Sequence, residues 1–538
     1  MLTFAFSSGL RARAGARTGV RSGARVGAWA LLACLAALPA AANPAGYAPP
    51  SAGVAWLAAA ADADIDKAFA QGRTDKKPVL VYWGAKWCPP CNQLKATLFN
   101  RQDFIARARN FVAVNIDGDL PGAQRLGARF KVRGYPTMIL FSPEGQEITR
   151  LPGEVDAPMV MNVLQLGLAG GRPVKAVLAD ARAGKPVSAN EWRLLAYYAW
   201  DTDEAQLVPP TERPGLLAQL SAACPPEQAD TGTRLLLKSL AESDEGKGLK
   251  PDAALRERVR KLLADAAATR TQMDVLVNAA PELVKALTPQ TGPDRATLAA
   301  AFDTALSRLQ DDATLSRSDR MSALIARVQL ARLDLPKDTV HPKLPAAVQK
   351  QVREEAAKAD REITDGYERQ AVITSAAYLL GQAGLWKESD ALLKSNLAKS
   401  HSPYYLMSQL GSNARKQGRK QEALDWYAQA YDKSEGPATR LQWGASYFTA
   451  LVEMAPQDAA TIEKTAASLI NEAAKQQGAF YERSARSLQR VGSKLAEWNG
   501  QGTHQAVVSR LRAQLSPVCA KLPAEGGQKA TCEGVIKA

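Results

Sequence analysis

Val79-Leu80-Val81-Tyr82-Trp83-Gly84-Ala85-Lys86-Trp87-Cys88-Pro89-Pro90-Cys91 passes from an apolar run rich in β-formers to two cysteines separated by two prolines. The run Val79 to Trp83 suits a central strand buried on both faces. The segment from Cys88 onward has the marks of a helix start. Proline fixes φ near the helical value and lacks an N–H that the first turn could not bond internally. Pro89 and Pro90 therefore fit the first two helical positions and Cys88 the N-cap. A thiolate there sits in the positive field of the helix terminus and can accept a backbone N–H, which lowers its pKa. Cys91, one turn on, is placed to resolve a mixed disulfide formed at Cys88. Lys86 adds positive charge nearby, while the two prolines remove donors that could have bonded the thiolate. The pattern reads as a thiol–disulfide exchange site. The alternatives are an inert structural disulfide and a zinc site. Zinc would need two further Cys or His at suitable spacing, and the histidines of the chain are His341, His401 and His504.

Outward from this stretch, strands alternate with helices. A helix is expected from about Arg101 to Ala108, a strand over Asn110 to Asp117, a helix over Gly122 to Phe130 and a strand over Thr137 to Phe141. The turn Ser142-Pro143-Glu144-Gly145 then opens a hairpin into Glu147 to Leu151. This order predicts a compact α/β domain.

Residues 55–170 resemble the thioredoxin fold, and in particular the periplasmic C-terminal thioredoxin-like domain of the membrane thiol:disulfide interchange proteins. The likeness is carried by Lys77-Pro78-Val79, Trp87-Cys88-Pro89-Pro90-Cys91, Leu98-Phe99, Phe104, Val132, Gly134-Tyr135-Pro136-Thr137, Phe141 and Gly145. It implies that Cys88 and Cys91 are catalytic. It also implies that Pro136 is a cis proline packed against them and that the backbone at Tyr135 and Thr137 shapes a substrate groove. Trp87, Lys86, Pro89 and Pro90 are its neighbours. The implied partners are protein clients with disulfides and an upstream thiol/disulfide electron partner, with reduction or isomerisation as the direction and no cofactor. One departure stands out. Tyr82 occupies the place of the buried acid that thioredoxins carry six positions before the first cysteine, and Val114 stands for that acid's lysine partner.

Residues 1–42 hold Arg11, Arg13, Arg17, Arg21 and Arg25, no acid, an apolar run from Val26 to Leu38, and Ala40-Ala41-Ala42. This is the pattern of a secretory signal peptide cleaved after Ala42, which implies a periplasmic compartment where disulfides persist. Membrane contact is expected only through a lipid anchor at Cys34, following Leu31-Leu32-Ala33, or through an uncleaved leader. The formal charge is +14; without the leader's five arginines, 63 basic face 54 acidic side chains, a net of +9. No Lys/Arg run with interleaved aromatics accompanies this charge, so nucleic-acid binding is not expected.

Residues 43–54, with three prolines and two glycines, read as a linker, and Gly167 to Pro173 as the boundary after the α/β domain. Residues 171–515 are Ala/Leu-rich with apolar spacing of three and four, which predicts an all-α region. Examples are Glu191 to Trp200, capped by Ser188 or Asn190, and Ala253 to Ala268. Near 370–437 two segments align at a spacing of 34, with Gly384 on Gly418, Glu388 on Glu422 and Pro403 on Pro437. That period resembles tetratricopeptide repeats and implies a concave docking surface for clients. Trp386, Trp426, Tyr404 and Tyr405 either line such a groove or pack in its core. Residues 516–538 read as a tail in which Cys519 and Cys532 either close a structural disulfide or stay free, leaving Cys224 as the odd thiol. Two functions compete: a thiol–disulfide oxidoreductase whose helical region docks clients, and a binding or assembly protein whose α/β domain is a recognition or redox-gating module with little turnover.

Overall fold

The computed structural model of the chain describes residues 53–536 apart from 154–155, 201, 204–206 and 244–248. The leader 1–42 and all but the end of the linker 43–54 lie outside the described residues. The α/β part runs β1 (Leu57–Ala58), α1 (Asp62–Asp75), β2 (Val79–Gly84), α2 (Pro89–Leu94, continued as a π-turn over Lys95–Phe99), α3 (Gln102–Arg107), β3 (Val112–Asp117), α4 (Ala123–Phe130), β4 (Thr137–Phe141), β5 (Glu147–Leu151) and α5 (Ala157–Leu168). The sheet order is β1-β3-β2-β4-β5. Strands β1, β3 and β2 are parallel, β4 is antiparallel to β2, and β5 is antiparallel to β4. Every residue of β2 is buried. Its period-2 alternation feeds two layers: Leu80 and Tyr82 pack with Leu94, Leu98 and Phe99, while Val79, Val81 and Trp83 pack with Ile65, Phe69 and Val114. The expected strands and helices of this part stand within two residues of where the sequence puts them, the scatter usual for element ends.

From Val174 to Glu533 the regular elements among the described residues are helical. The first layer of the sheet does not stop at the expected boundary. Leu80 and Met138 share one core with Val174, Val177, Leu194 and Leu195, so Gly170, at φ +91°, makes a turn within a packed unit, not a tether between two. Three expectations are corrected. The helix expected to reach Trp200 ends at Ala196, because Tyr198 and Trp200 turn inward. There the Tyr198 hydroxyl donates to Asp203 (2.9 Å) and the Trp200 indole to the Leu195 carbonyl (2.9 Å). The stretch Ala253 to Ala268 breaks at Asp265, whose carboxylate accepts the N–H groups of Ala267 and Ala268 and caps a new helix. The helical region does not end at Leu515: a helix spans Gln505–Ala520 and a short one Gln528–Glu533. These carry Cys519 and Cys532, which are bonded to each other and buried among Leu488, Val491 and Leu495, so residues 516–536 are part of the core and not a tail.

Gly384 and Gly418, the two turn glycines at the 34-residue spacing, sit at φ +76° and +72° between the paired helices Gly366–Gln382 and Trp386–Asn396, and Pro403–Lys416 and Lys420–Lys433. In both turns the chain closes with the same bond, Leu385 N to Leu380 O and Arg419 N to Ala414 O, each 2.8 Å. Trp386, Trp426 and Tyr404 are buried in the core, and Tyr405 is half-buried. No helix among the described residues is long and apolar enough to cross a membrane.

Candidate active site

Strand β2 delivers the chain through Ala85 to Trp87 at the edge of the sheet, and α2 begins where the prolines allow. Cys88 is the N-cap in extended geometry (φ −70°, ψ 114°), Pro89 and Pro90 are the first two helical residues, and the Cys88 Sγ accepts the backbone N–H of Cys91 at 3.2 Å. Cys88 and Cys91 form a disulfide. Cys91 is fully enclosed and Cys88 only 2 % exposed. Asn92, next on the helix, locks the turn by donating from Nδ2 to the carbonyls of Cys88 (2.8 Å) and Lys86 (2.9 Å). The Tyr135–Pro136 bond is cis, Pro136 and Thr137 are buried, and the Thr137 hydroxyl donates to the Gly134 carbonyl at 2.9 Å. Tyr135 packs with Trp87 against the cysteine pair.

Behind the pair, Tyr82 is buried and its hydroxyl has no hydrogen-bond partner. Burial, then the charge of Asp117, drives its titration far above the ordinary tyrosine range, so it stays protonated and cannot take up a proton from a thiol. Its neighbour across the strands is not Val114. The parallel register sets Leu80 beside Ala113 and Tyr82 beside Asn115, so Ala113 shares the Tyr82 face and Val114 points to the opposite layer. Asp117 closes β3 at this end of the sheet, and burial holds its carboxyl above the usual carboxylate range.

The helical region covers this site, which the sequence did not foretell. Lys86 pairs with Glu435 at 3.1 Å, both exposed, so its charge is answered from the helical side and not only by a thiolate. The His401 Nε2 donates to the Lys86 carbonyl at 3.0 Å, and burial pulls the imidazole pKa down, which favours the neutral ring. The Trp87 indole N–H is shared between Thr439 (2.8 Å) and Asp119 (3.1 Å), and its ring stacks on Tyr405 and meets Trp443 edge-on at 5.0 Å. Gln93 on α2 donates to Asp319 (2.8 Å) and accepts from Ser318 (3.0 Å). Asp119 also accepts the Thr439 hydroxyl and the Arg483 guanidinium, and Arg483 lies 5.3 Å from the Trp87 ring and 5.2 Å from the Tyr135 ring. None of Asp119, Thr439, Trp443 or Arg483 carries a local sequence signal; each lies well away from the cysteines in sequence. Cys224 is half-buried at the end of the helix Arg213–Ala223, with its thiol pKa raised by burial. No group of three or more His, Cys, Asp or Glu among the described residues could hold a metal ion.

The comparisons agree with this geometry. Residues 65–167 match the family model described as a thioredoxin-like domain. The thiol:disulfide interchange protein DsbD 2 of Pseudomonas aeruginosa is 32% identical over 122 residues, covering 22% of this chain and 21% of that protein. The chain thus spans about a fifth of the length of the interchange proteins it matches. A thioredoxin-like protein of Synechocystis sp. is 32% identical over 90 residues, 17% of this chain but 81% of that protein. The mitochondrial thioredoxin-2 of Schizosaccharomyces pombe is 39% identical over 79 residues, covering 15% of this chain and 54% of that one. A five-stranded mixed sheet, a disulfide at the N-cap of the helix after its central strand and this set of relatives lead to one conclusion: through residues 65–167 the chain belongs to the thioredoxin-like family.

Proposed function

We propose that the protein is an exported thiol–disulfide oxidoreductase working in the periplasm, with Cys88 and Cys91 as its catalytic residues and reduction or isomerisation of protein disulfides as its direction. The observation that carries this reading is the seat of the pair: Cys88 caps α2, accepts the Cys91 N–H and is bonded to Cys91. Reduced, the pair has a thiolate favoured by the helix terminus and a second thiol one turn away. The Cys88 thiolate attacks one sulfur of a client disulfide, forming the Cys88–client bond and expelling the other client sulfur as a thiolate. The Cys91 thiolate then attacks Cys88 Sγ, restoring the Cys88–Cys91 disulfide and releasing the second client thiolate. Two electrons pass to the client, and an upstream dithiol partner returns them. Tyr135, Pro136 and Thr137 shape the client groove. Since Tyr82 cannot take the Cys91 proton, water or another group receives it. The leader 1–42 supplies export, and the relatives named as interchange proteins support a thiol/disulfide electron partner. The helix pairs around Gly384 and Gly418 form a tetratricopeptide-like module.

A second reading has its own support: the burial of Cys88 under the helical region suits a binding or assembly protein whose thioredoxin-like module turns over little. Trapping separates the two. Cys91→Ser, expressed in the native host and quenched with acid, accumulates discrete proteins disulfide-bonded to Cys88, all absent from Cys88→Ser. An empty trap with abundant, folded protein favours the binding reading.

A further inference from the structure

Exchange requires a client sulfur to approach Cys88 Sγ in line with the bond being broken or made, and that approach is closed. Cys88 is 2 % exposed, and the ring faces that border it are already engaged. Trp87 stacks on Tyr405 and meets Trp443 edge-on, its indole N–H is held by Thr439 and Asp119, and the Arg483 guanidinium lies within 5.3 Å of both the Trp87 and Tyr135 rings. Arg483 is fixed there by the Asp119 carboxylate, by the Gln442 side-chain carbonyl at 3.0 Å and through its own backbone N–H to Gln124 at 2.9 Å. Gln124 in turn donates to the Tyr135 hydroxyl at 3.0 Å and the Gly118 carbonyl at 2.8 Å. These contacts form one connected network, from the helix Glu482–Asn499 to the aromatic rim of the cysteine pair. Both partners of its central ion pair are only 12 % exposed, so water contributes little screening between them.

We propose that the helical region occupies the redox groove of its own chain, and that Arg483 is the positioning residue that latches it there: exchange at Cys88 proceeds only from a state in which Arg483 has left Asp119, Trp87 and Tyr135. The region is then an intramolecular competitor of clients. It screens substrates by whether they can displace it, and it keeps the pair from unselective exchange while closed. The proposal rests on the exchange reading given above, yet its test needs no turnover. Local opening sets the rate at which a buried thiol meets a reagent when reclosing is fast, so weakening the latch raises that rate in proportion to the opening equilibrium.

The full chain is reduced with dithiothreitol, freed of reductant and treated with iodoacetamide or with a polyethylene-glycol maleimide of several kilodaltons, and modification of Cys88 is monitored by peptide mass. Arg483→Ala is expected to speed the bulky reagent at Cys88 on the order of 10-fold or more, and to bring its rate closer to that of iodoacetamide. Gly436→Ala provides a second route to the same state. Gly436 adopts φ +87°, and an added Cβ would lie 2.7 Å from the Asp119 Cβ, so the substitution wedges the helical region off the loop without touching Arg483. Bulky labelling of Cys88 in the wild type as fast as in either folded variant overturns the latch, whether or not the protein exchanges disulfides. Fast labelling in the variants alone sustains it even if no client is ever trapped. If Arg483→Ala fails to fold, Gly436→Ala and Asp119→Asn decide the matter by the same readout.

Discussion

Cys88→Ser abolishes disulfide exchange, lowering the rate of insulin-disulfide reduction at least ~10³-fold, while the protein keeps its helical content. The loss is near complete because a serine hydroxyl has no appreciable alkoxide at neutral pH, so the N-terminal field of α2 has nothing to stabilise. Cys91 cannot substitute, since it is fully enclosed one turn inside the helix. The fold survives because serine is close to isosteric with cysteine and can still accept the Cys91 N–H, as N-cap serines do. The disulfide lost with Cys88 closes a tight loop, which contributes only about 2 kcal/mol through the unfolded chain. Turbidity of insulin with dithiothreitol as electron donor, beside far-UV circular dichroism, checks both halves. Activity within tenfold of wild type in folded Cys88→Ser would move the chemistry away from this pair.

The second large effect lies at the other end of the chain. Replacing Cys519 and Cys532 together by alanine lowers stability by about 3 kcal/mol from the lost loop closure alone, and melting temperature falls by roughly 6–12 °C for the module they staple. Both sulfurs are buried, so the vacated volume adds to the loss. The consequence reaches the redox site, because Cys519 and Cys532 share a core with Leu488, Val491 and Leu495 of the helix that carries Arg483. A looser end to that helix weakens the hold of Arg483 on Asp119, and labelling of Cys88 should quicken in parallel. Thermal circular dichroism under non-reducing conditions measures the first effect. An unchanged melting temperature would show that the staple closes a loop already ordered in the unfolded chain.

The cysteine-bearing helix α2 was legible because everything that builds it is local. Apolar β-formers from Val79, prolines at the first two helical positions and a cysteine before them specify strand, turn and N-cap without reference to any distant residue. The spacing of Cys519 and Cys532 was legible for the same reason. The lysine partner assigned to Val114 fails on its face: the parallel register sets Tyr82 beside Asn115, and Val114, one residue off, points to the opposite layer. The cover over the site was not legible at all. Trp87 meets Thr439 across 352 residues of sequence and Asp119 meets Arg483 across 364, and an arginine in a helix start looks the same whether it faces solvent or a buried carboxylate. Nor does helical periodicity tell a groove from a core: Tyr404 and Trp426 are buried by neighbours that periodicity alone does not name. The turn at Gly170-Gly171 does close the α/β part, but turn residues mark a change of direction and not the end of a hydrophobic core, which here continues into the helices beyond it.

The midpoint potential of the Cys88–Cys91 couple in the full chain, obtained by equilibration against glutathione and dithiothreitol buffers with the redox state read by mass, separates a working exchange pair from a structural link. A reversible two-electron couple between about −270 and −120 mV is the predicted result, the span of thiol–disulfide oxidoreductases of this fold. A couple below about −300 mV, resistant to the glutathione pool, would contradict it and leave Cys88 and Cys91 as a structural disulfide.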